Sequence, residues 1–107
     1  MYIRIREFVV RSSAVDAFTA LYGPTGGWVE HFSSFEGFLG MELLRDDDDA
    51  SRFLTLDRWS SEGAYAAVDT SSERWRALDA DGDALSERET LLGVFDIVAD
   101  ERPTTSG

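Results

Sequence analysis

The sequence predicts a single α+β domain built on a four-stranded antiparallel sheet, and three observations support this class. The chain has 107 residues, which is the length of one domain. Four segments rich in β-branched and aromatic residues are typical of strands. Helical patterns lie between the first and second strands and between the third and fourth. A short polar segment alone separates the second strand from the third, which indicates a hairpin.

The first half of the chain predicts a strand over residues 3–10, followed by two helices. Ser13 is the expected N-cap of the first helix, with Asp16 three residues on in the position of a capping box. Apolar residues then recur at spacings of three and four, first in Val15, Phe18, Leu21 and Tyr22 and again, after a glycine-rich break, in Trp28, Phe32 and Phe35.

The second half predicts strands over residues 38–45, 52–59 and 90–98. Ser60 or Ser61 is the expected cap of a helix that runs to about Val68, and a further helical face is expected over residues 75–85. We therefore expect one domain over residues 1–98 and a frayed tail over residues 99–107, which has turn-forming and small polar residues.

Two crossovers that flank one hairpin predict the ferredoxin-like, split βαβ arrangement, with all helices on one face of the sheet. A sheet open to water on its other face should alternate apolar and polar residues. Residues 38–44 and 91–98 instead carry apolar side chains on both faces. Because one chain supplies helices for only one face, the simplest second cover is another copy of the sheet. The sequence therefore predicts a homodimer.

Charge and composition exclude several function classes. The net charge of −11 opposes binding to nucleic acid or to an anionic membrane surface. The chain has no cysteine and one histidine, so we expect no thiol chemistry and no metal site within one chain. No apolar run reaches the roughly 20 residues that span a bilayer, and no signal-peptide pattern follows Met1, so we expect a cytoplasmic protein.

Two acidic runs resemble metal sites without meeting their requirements. The carboxylates of residues 46–49 could attract a divalent cation, but a charge run in a hairpin loop is usually a solvated segment that discourages aggregation. Residues 79–83 resemble the start of a calcium loop. The spacing then requires glycine at residue 84 and glutamate at residue 90, where the chain has Ala84 and Thr90. We expect exposed aspartates on a helix there.

Candidate chemistry gathers at the end of the third strand. Thr55, Asp57 and Trp59 share one face of that strand, and Tyr65 follows on the next helix. A tryptophan, a tyrosine and polar groups could converge there on an aromatic ligand; the alternative is that both aromatic residues are core. Asp57 is either half of a structural ion pair with Arg4, Arg6 or Arg58 or a carboxyl with a shifted pKa. His31 is either an acid–base group or a packing residue.

The residues around this point resemble the antibiotic biosynthesis monooxygenase family. The stretch over residues 53–65 (FLTLDRWSSEGAY) is similar to that family's strand ending in tryptophan, followed by serine and a helix with an aromatic residue. The stretch over residues 37–45 (GFLGMELLR) resembles the family's second strand, with Glu36 in place of its usual proline. The resemblance covers residues 2–98 and implies ferredoxin-like subunits that pair as a dimeric α/β barrel.

The resemblance also implies a function. Family members that oxidise polyketide phenols without a cofactor use an asparagine, a tryptophan and a tyrosine; Trp59 and Tyr65 match the last two, and Thr55 stands at the asparagine position. Members that degrade haem use an asparagine, a tryptophan and a histidine, where this chain has Glu7, Val68 and Leu78. We therefore expect a cofactor-independent monooxygenase acting on an aromatic or polyketide-like substrate, or a non-catalytic small-molecule-binding or accessory protein that keeps the barrel.

Within that expectation each candidate residue has a role. Trp59 and Tyr65 would shape the pocket and hydrogen-bond the substrate, and Asp57 or His31 would be the base. Thr55, Trp28 and Phe32 would contact the substrate. No cofactor and no metal are expected.

Overall fold

The computed structural model describes residues 1–99, which form one four-stranded antiparallel sheet with helices on one side. The strands are β1 (Tyr2–Val10), β2 (Phe38–Arg45), β3 (Arg52–Trp59) and β4 (Ser86–Asp96), in the order β2-β3-β1-β4. This order confirms the predicted ferredoxin-like fold. Residues 100–107, most of the predicted tail, lie outside the described part of the chain.

Four helices connect the strands: α1 (Val15–Tyr22), α2 (Gly27–Phe32), α3 (Glu62–Ala66) and α4 (Glu73–Leu85). Ser61 caps α3, because its hydroxyl accepts the amide N–H of Ala64 at 3.1 Å. Ser72 caps α4 in the same way at Trp75. The predicted cap at Ser13 is wrong. Ser13 lies inside a 3-10 turn over Ser12–Ala14, and no side chain caps α1.

The fourth strand begins at Ser86, whereas the sequence predicted a start at residue 90. The polar residues Ser86, Glu87 and Arg88 have weak strand propensity on their own. Pairing with β1 makes them a strand, since Val9 lies opposite Arg88 and Val10 opposite Ser86. Tertiary context thus extends the edge strand directly from the end of α4.

The helix-facing side of the sheet has an apolar end and a polar middle. Alternate residues of β1 and β3 point towards the helices, and Phe8, Val10, Phe53 and Trp59 among them join the buried core. The remaining residues of this face are Tyr2, Arg4, Arg6, Thr55 and Asp57. A sheet that carries charges beneath its helices leaves room there for something other than a fully apolar core.

Within residues 1–99, no helix covers the opposite side of the sheet. Ile5, Leu54 and Leu56 are half-buried on this face. Large apolar side chains of the two edge strands are exposed on this face, namely Leu44 at 42%, opposite Leu54, and Phe95 at 50%, opposite Ile3. Exposed apolar surface of this kind is typical of interaction sites.

One glycine is required by the turn into β2. Gly37 has φ +90°, a conformation that glycine adopts at little cost. A Cβ at this position would lie 2.6 Å from Ala64 Cβ and from Ser60 Oγ. The Gly37 carbonyl also accepts the amide N–H of Ser60 at 2.8 Å. This close approach fixes the start of β2 beside the end of β3 and the start of α3.

Candidate functional site

A cavity lies between the polar middle of the sheet and the helices. Its volume is about 70 Å³, and about 500 Å³ of atom-free space is reached when open solvent at the mouth is included. This volume has space for several water molecules. The sheet supplies Arg4, Arg6, Phe8, Met41, Thr55, Asp57 and Glu89, and the helices supply Tyr22, Trp28, Phe32, Tyr65, Trp75 and Asp79.

Asp57 is the buried carboxyl of this cavity. The residue is only 6% exposed, and the indole N–H of Trp59 donates to its Oδ2 at 2.9 Å. Burial raises the pKa of Asp57, and the Trp59 hydrogen bond and the nearby Arg4 and Arg6 oppose that rise without cancelling it. The result is a carboxylate that is more basic than an exposed one.

Trp59 is a supporting residue of the cavity. Its side chain is fully buried and is not among the cavity-lining groups. It packs against Phe32 at 5.3 Å and Tyr65 at 5.5 Å between ring centroids, both in edge-to-face geometry. Trp59 therefore orients Asp57 and supports the aromatic wall from behind.

Arg4 and Tyr65 form one end of the cavity. The guanidinium carbon of Arg4 lies 4.1 Å from the centroid of the Tyr65 ring, which is a cation–π contact. Arg4 Nη1 also donates to the hydroxyl of Tyr2 at 3.2 Å. In residues 1–99, no carboxylate lies within ion-pair distance of Arg4.

The other end of the cavity is acidic. Glu89 accepts from Arg6 at 3.3 Å, and burial raises the pKa of Glu89 in spite of this ion pair. Burial, reinforced by the negative charge of Glu89, raises the pKa of the Tyr22 phenol. The buried indole nitrogen of Trp28 makes no hydrogen bond within the described part of the chain. Its proximity to the Tyr22 hydroxyl partly offsets the rise in the pKa of Tyr22.

His31 lies away from the cavity lining. Its ring packs edge-to-face on Phe35 at 5.3 Å between ring centroids, and the Phe32 ring lies at 6.1 Å. Burial and the positive charge of Arg74 lower the pKa of His31, so the ring favours its neutral form. This is the packing environment that the sequence allowed as the alternative to acid–base chemistry.

The structure thus brings five of the seven candidate residues to one cavity: Thr55, Asp57, Tyr65, Trp28 and Phe32. Trp59 reaches the cavity through Asp57, and His31 does not line it. From the sequence, Arg4 and Arg6 are expected only as possible ion-pair partners of Asp57. Their alternation with Phe8 and Val10 on β1 was the available signal that they face the helices.

The acidic hairpin loop is held by its own hydrogen bonds. Asp46 Oδ1 accepts the amide N–H of Asp48 at 2.8 Å and of Asp49 at 3.2 Å, and Asp46 pairs with Arg52. These contacts lower the pKa of Asp46. Across residues 1–99, no group of three or more acidic or imidazole side chains is arranged to hold a metal ion. In the same residues, no helix is long and apolar enough to cross a membrane.

Residues 1–80 match the family model of the antibiotic biosynthesis monooxygenases. The chain belongs to this family. The match spans β1 to the first part of α4 and includes every sheet residue of the cavity except Glu89. No curated protein matches the sequence closely enough to count as a relative.

Solved structures share the fold across almost the whole chain. A variant of SnoaB, a cofactor-independent oxygenase from Streptomyces nogalater, is 18% identical with a TM-score of 0.75, covering 92% of this chain and 94% of that chain. Rv0793 from Mycobacterium tuberculosis is 20% identical with a TM-score of 0.68, covering 92% and 98%. A conserved protein from Methanosarcina mazei Go1 is 14% identical with a TM-score of 0.71, covering 89% and 91%. At these identities the likeness concerns the fold.

Proposed function

We propose that this member of the antibiotic biosynthesis monooxygenase family is a cofactor-independent monooxygenase that acts on a compact, electron-rich aromatic substrate. The observation that carries the proposal is the cavity beneath the helices, where the buried carboxyl of Asp57 lies among aromatic walls. The family match and the fold shared with SnoaB support the same reaction class. The small cavity volume favours a single aromatic ring over a fused multi-ring polyketide, which would have to extend into the mouth.

The proposed reaction converts a phenol to a quinone. Asp57 accepts the phenol proton, and the electron-rich phenolate passes electrons to O₂. One oxygen atom forms the new bond to a ring carbon. The other leaves as water with the phenol hydrogen and the displaced ring hydrogen. The substrate supplies all four electrons that O₂ takes up, so the balance requires no other reductant.

The cavity residues have distinct roles in this proposal. The indole N–H of Trp59 donates to Oδ2 of Asp57, so the other carboxylate oxygen, Oδ1, accepts the phenol proton. The hydroxyls of Tyr65 and Thr55 donate to substrate oxygens, and Trp28 and Phe32 stack on the ring. His31 has no part in the chemistry, because it does not line the cavity.

Oxygen uptake with a panel of single-ring dihydroxybenzenes and naphthols tests the proposal. We expect enzyme-dependent uptake with at least one compound. The variant Asp57→Asn should lower kcat by a factor of about 100 or more, within the range for loss of a general base. The control Asp81→Asn makes the same charge change on the exposed side of α4 and should leave kcat unchanged.

Loss of the family asparagine, replaced by Thr55, favours a second candidate function in which the cavity binds an aromatic molecule without turning it over. Saturable binding of panel members to the wild-type protein, with no oxygen uptake above the protein-free rate, would establish that function instead.

The exposed apolar face of the sheet supports the proposal that the protein works as a homodimer. Phe95 and Leu44 lie on that face opposite Ile3 and Leu54, and the face has no cover within the described chain. Four charged side chains of this face are paired with one another, Arg52 with Glu7 and Arg58 with Glu42. A second copy can therefore cover the apolar side chains without leaving these four charges unpaired.

A further inference from the structure

We propose that the ligand of the cavity is an aromatic acid and that Arg4 binds its carboxylate. The inference rests on the proposed function only for its use of this cavity, and it adds the chemical class of the ligand. Its basis is the uneven distribution of charge along the cavity, together with the unused hydrogen-bonding capacity of one half-buried arginine.

The two arginines of the cavity differ in their partners. Arg6 is paired with Glu89. Arg4 has no carboxylate within 4.0 Å among residues 1–99, and its one hydrogen bond is the contact from Nη1 to the Tyr2 hydroxyl. A guanidinium has five N–H donors, so most of those on Arg4 remain available to a ligand.

Arg4 is held in place by groups that do not neutralise it. Tyr65 and Tyr2 contact it through a ring face and a hydroxyl, and the two rings lie 5.8 Å apart. Asp57 lies opposite Arg4 in the sheet register but outside ion-pair distance. A planar guanidinium fixed in this way binds a carboxylate through two parallel hydrogen bonds, which a neutral alcohol cannot reproduce.

The rest of the cavity defines the orientation of such a ligand. Trp28 and Phe32 form aromatic walls of the cavity. Glu89 lies opposite Phe8 in the sheet register, four residues along β1 from Arg4, and together with Asp79 it makes that end of the cavity unfavourable for a carboxylate. An aromatic acid therefore places its carboxylate at Arg4 and its ring between the aromatic walls.

A merely structural role for Arg4 makes a different prediction. If Arg4 served only to offset the charge of Asp57 and to pack on Tyr65, its removal would weaken acidic and neutral ligands equally. The discriminating quantity is therefore the ratio of the dissociation constants of a matched acid and alcohol.

The experiment titrates 4-hydroxybenzoate and 4-hydroxybenzyl alcohol into the full chain, followed by fluorescence of the cavity tryptophans and by calorimetry. We expect the acid to bind the wild-type protein at least tenfold more tightly than the alcohol. Arg4→Gln should weaken the acid by a factor of about 10 to 100, the effect of losing a hydrogen bond to a charged group, and change the alcohol less than threefold. Arg4→Lys, which keeps the charge but not the planar fork, should recover part of the selectivity.

Arg76→Gln is the matched control, because it removes one exposed positive charge from α4 and should leave both dissociation constants unchanged. Equal affinity of acid and alcohol for the wild-type protein, or no binding of the acid at millimolar concentration, overturns the inference. The inference is also overturned if Arg4→Gln weakens binding of the acid and of the alcohol by the same factor, or if Arg4→Gln and Arg76→Gln weaken binding of the acid equally. Oxygen uptake with neutral phenols alone would overturn the acid specificity and leave the proposed oxygenase function standing, so the two failures are distinguishable.

Discussion

Replacement of Trp59 by phenylalanine tests how the buried carboxyl is maintained. The change removes the indole N–H that donates to Asp57 Oδ2 at 2.9 Å and leaves a ring of similar shape in the same core position. A hydrogen bond to a buried charged group contributes about 1.5–3 kcal/mol. The smaller ring costs about 1 kcal/mol more in lost packing. We therefore expect Trp59→Phe to lower the free energy of unfolding at pH 7 by about 2.5–4 kcal/mol.

The pH dependence of this loss separates the hydrogen bond from the packing. The pKa of Asp57 is raised in the folded protein, so its protonated form favours folding, and the folded state is relieved of a buried charge as pH falls through that pKa. Trp59→Phe removes a hydrogen bond that lowers the pKa of Asp57. In the variant, Asp57 therefore becomes protonated, and the cost of burying its charge is lost, at a higher pH than in the wild type. The difference between wild type and variant should shrink towards the packing component, about 1 kcal/mol, in acid.

Urea denaturation at neutral and acidic pH, in the wild-type and Asp57→Asn backgrounds, measures these quantities. An asparagine carries no charge, so the Trp59→Phe loss in that background should fall by about 1 kcal/mol or more. The same loss at both pH values and in both backgrounds would mean that Trp59 contributes only packing and that its hydrogen bond to Asp57 does not stabilise the fold.

Three further predictions concern the cavity wall, the open face and metal content. Gly82→Ala places a Cβ on the Tyr22 hydroxyl oxygen, so it should destabilise the protein by about 1–2 kcal/mol in spite of its better helix propensity, and Tyr22→Phe should relieve most of that loss in thermal unfolding. Phe95→Asp, on the exposed apolar face, should convert a dimer to a monomer of about half the mass in sedimentation; a wild-type protein that is already monomeric at micromolar concentration contradicts the homodimer. Treatment with a chelator should change neither the melting temperature nor oxygen uptake; a loss of either that zinc or calcium restores would contradict the absence of a metal requirement.

The sequence predicts the fold because the patterns that indicate strands and helices are local and recur along the chain. The alternation in residues 52–59 matches β3, and the spacing of Trp28 and Phe32 places both on the buried side of α2. The errors occur where a distant partner decides the structure. Ser86 to Arg88 become strand only by pairing with β1, and the 3-10 turn at Ser12–Ala14 displaces the expected cap at Ser13.

Local patterns also predict part of the candidate site. Thr55 and Asp57 face the helices by strand alternation, so their presence in one cavity follows from the register. The sequence does not show that Trp59 lies behind Asp57, or that Phe32 and Phe35 pack against His31, because these arrangements depend on how helices dock on the sheet. The presence of Trp75 and Asp79 of α4 in the cavity lining also depends on how that helix docks on the sheet, which the sequence does not show. The cytoplasmic location stays a prediction.

Isotope labelling tests the proposed oxygenase function most directly. The full chain is incubated under ¹⁸O₂ with the phenol that gives the fastest oxygen uptake, and the product is analysed by mass spectrometry beside the Asp57→Asn variant. We expect a quinone that carries one labelled oxygen atom, formed at least about 100-fold more slowly by the variant. A product without label, or labelled product formed equally fast by wild type, variant and protein-free buffer, would contradict the proposed function.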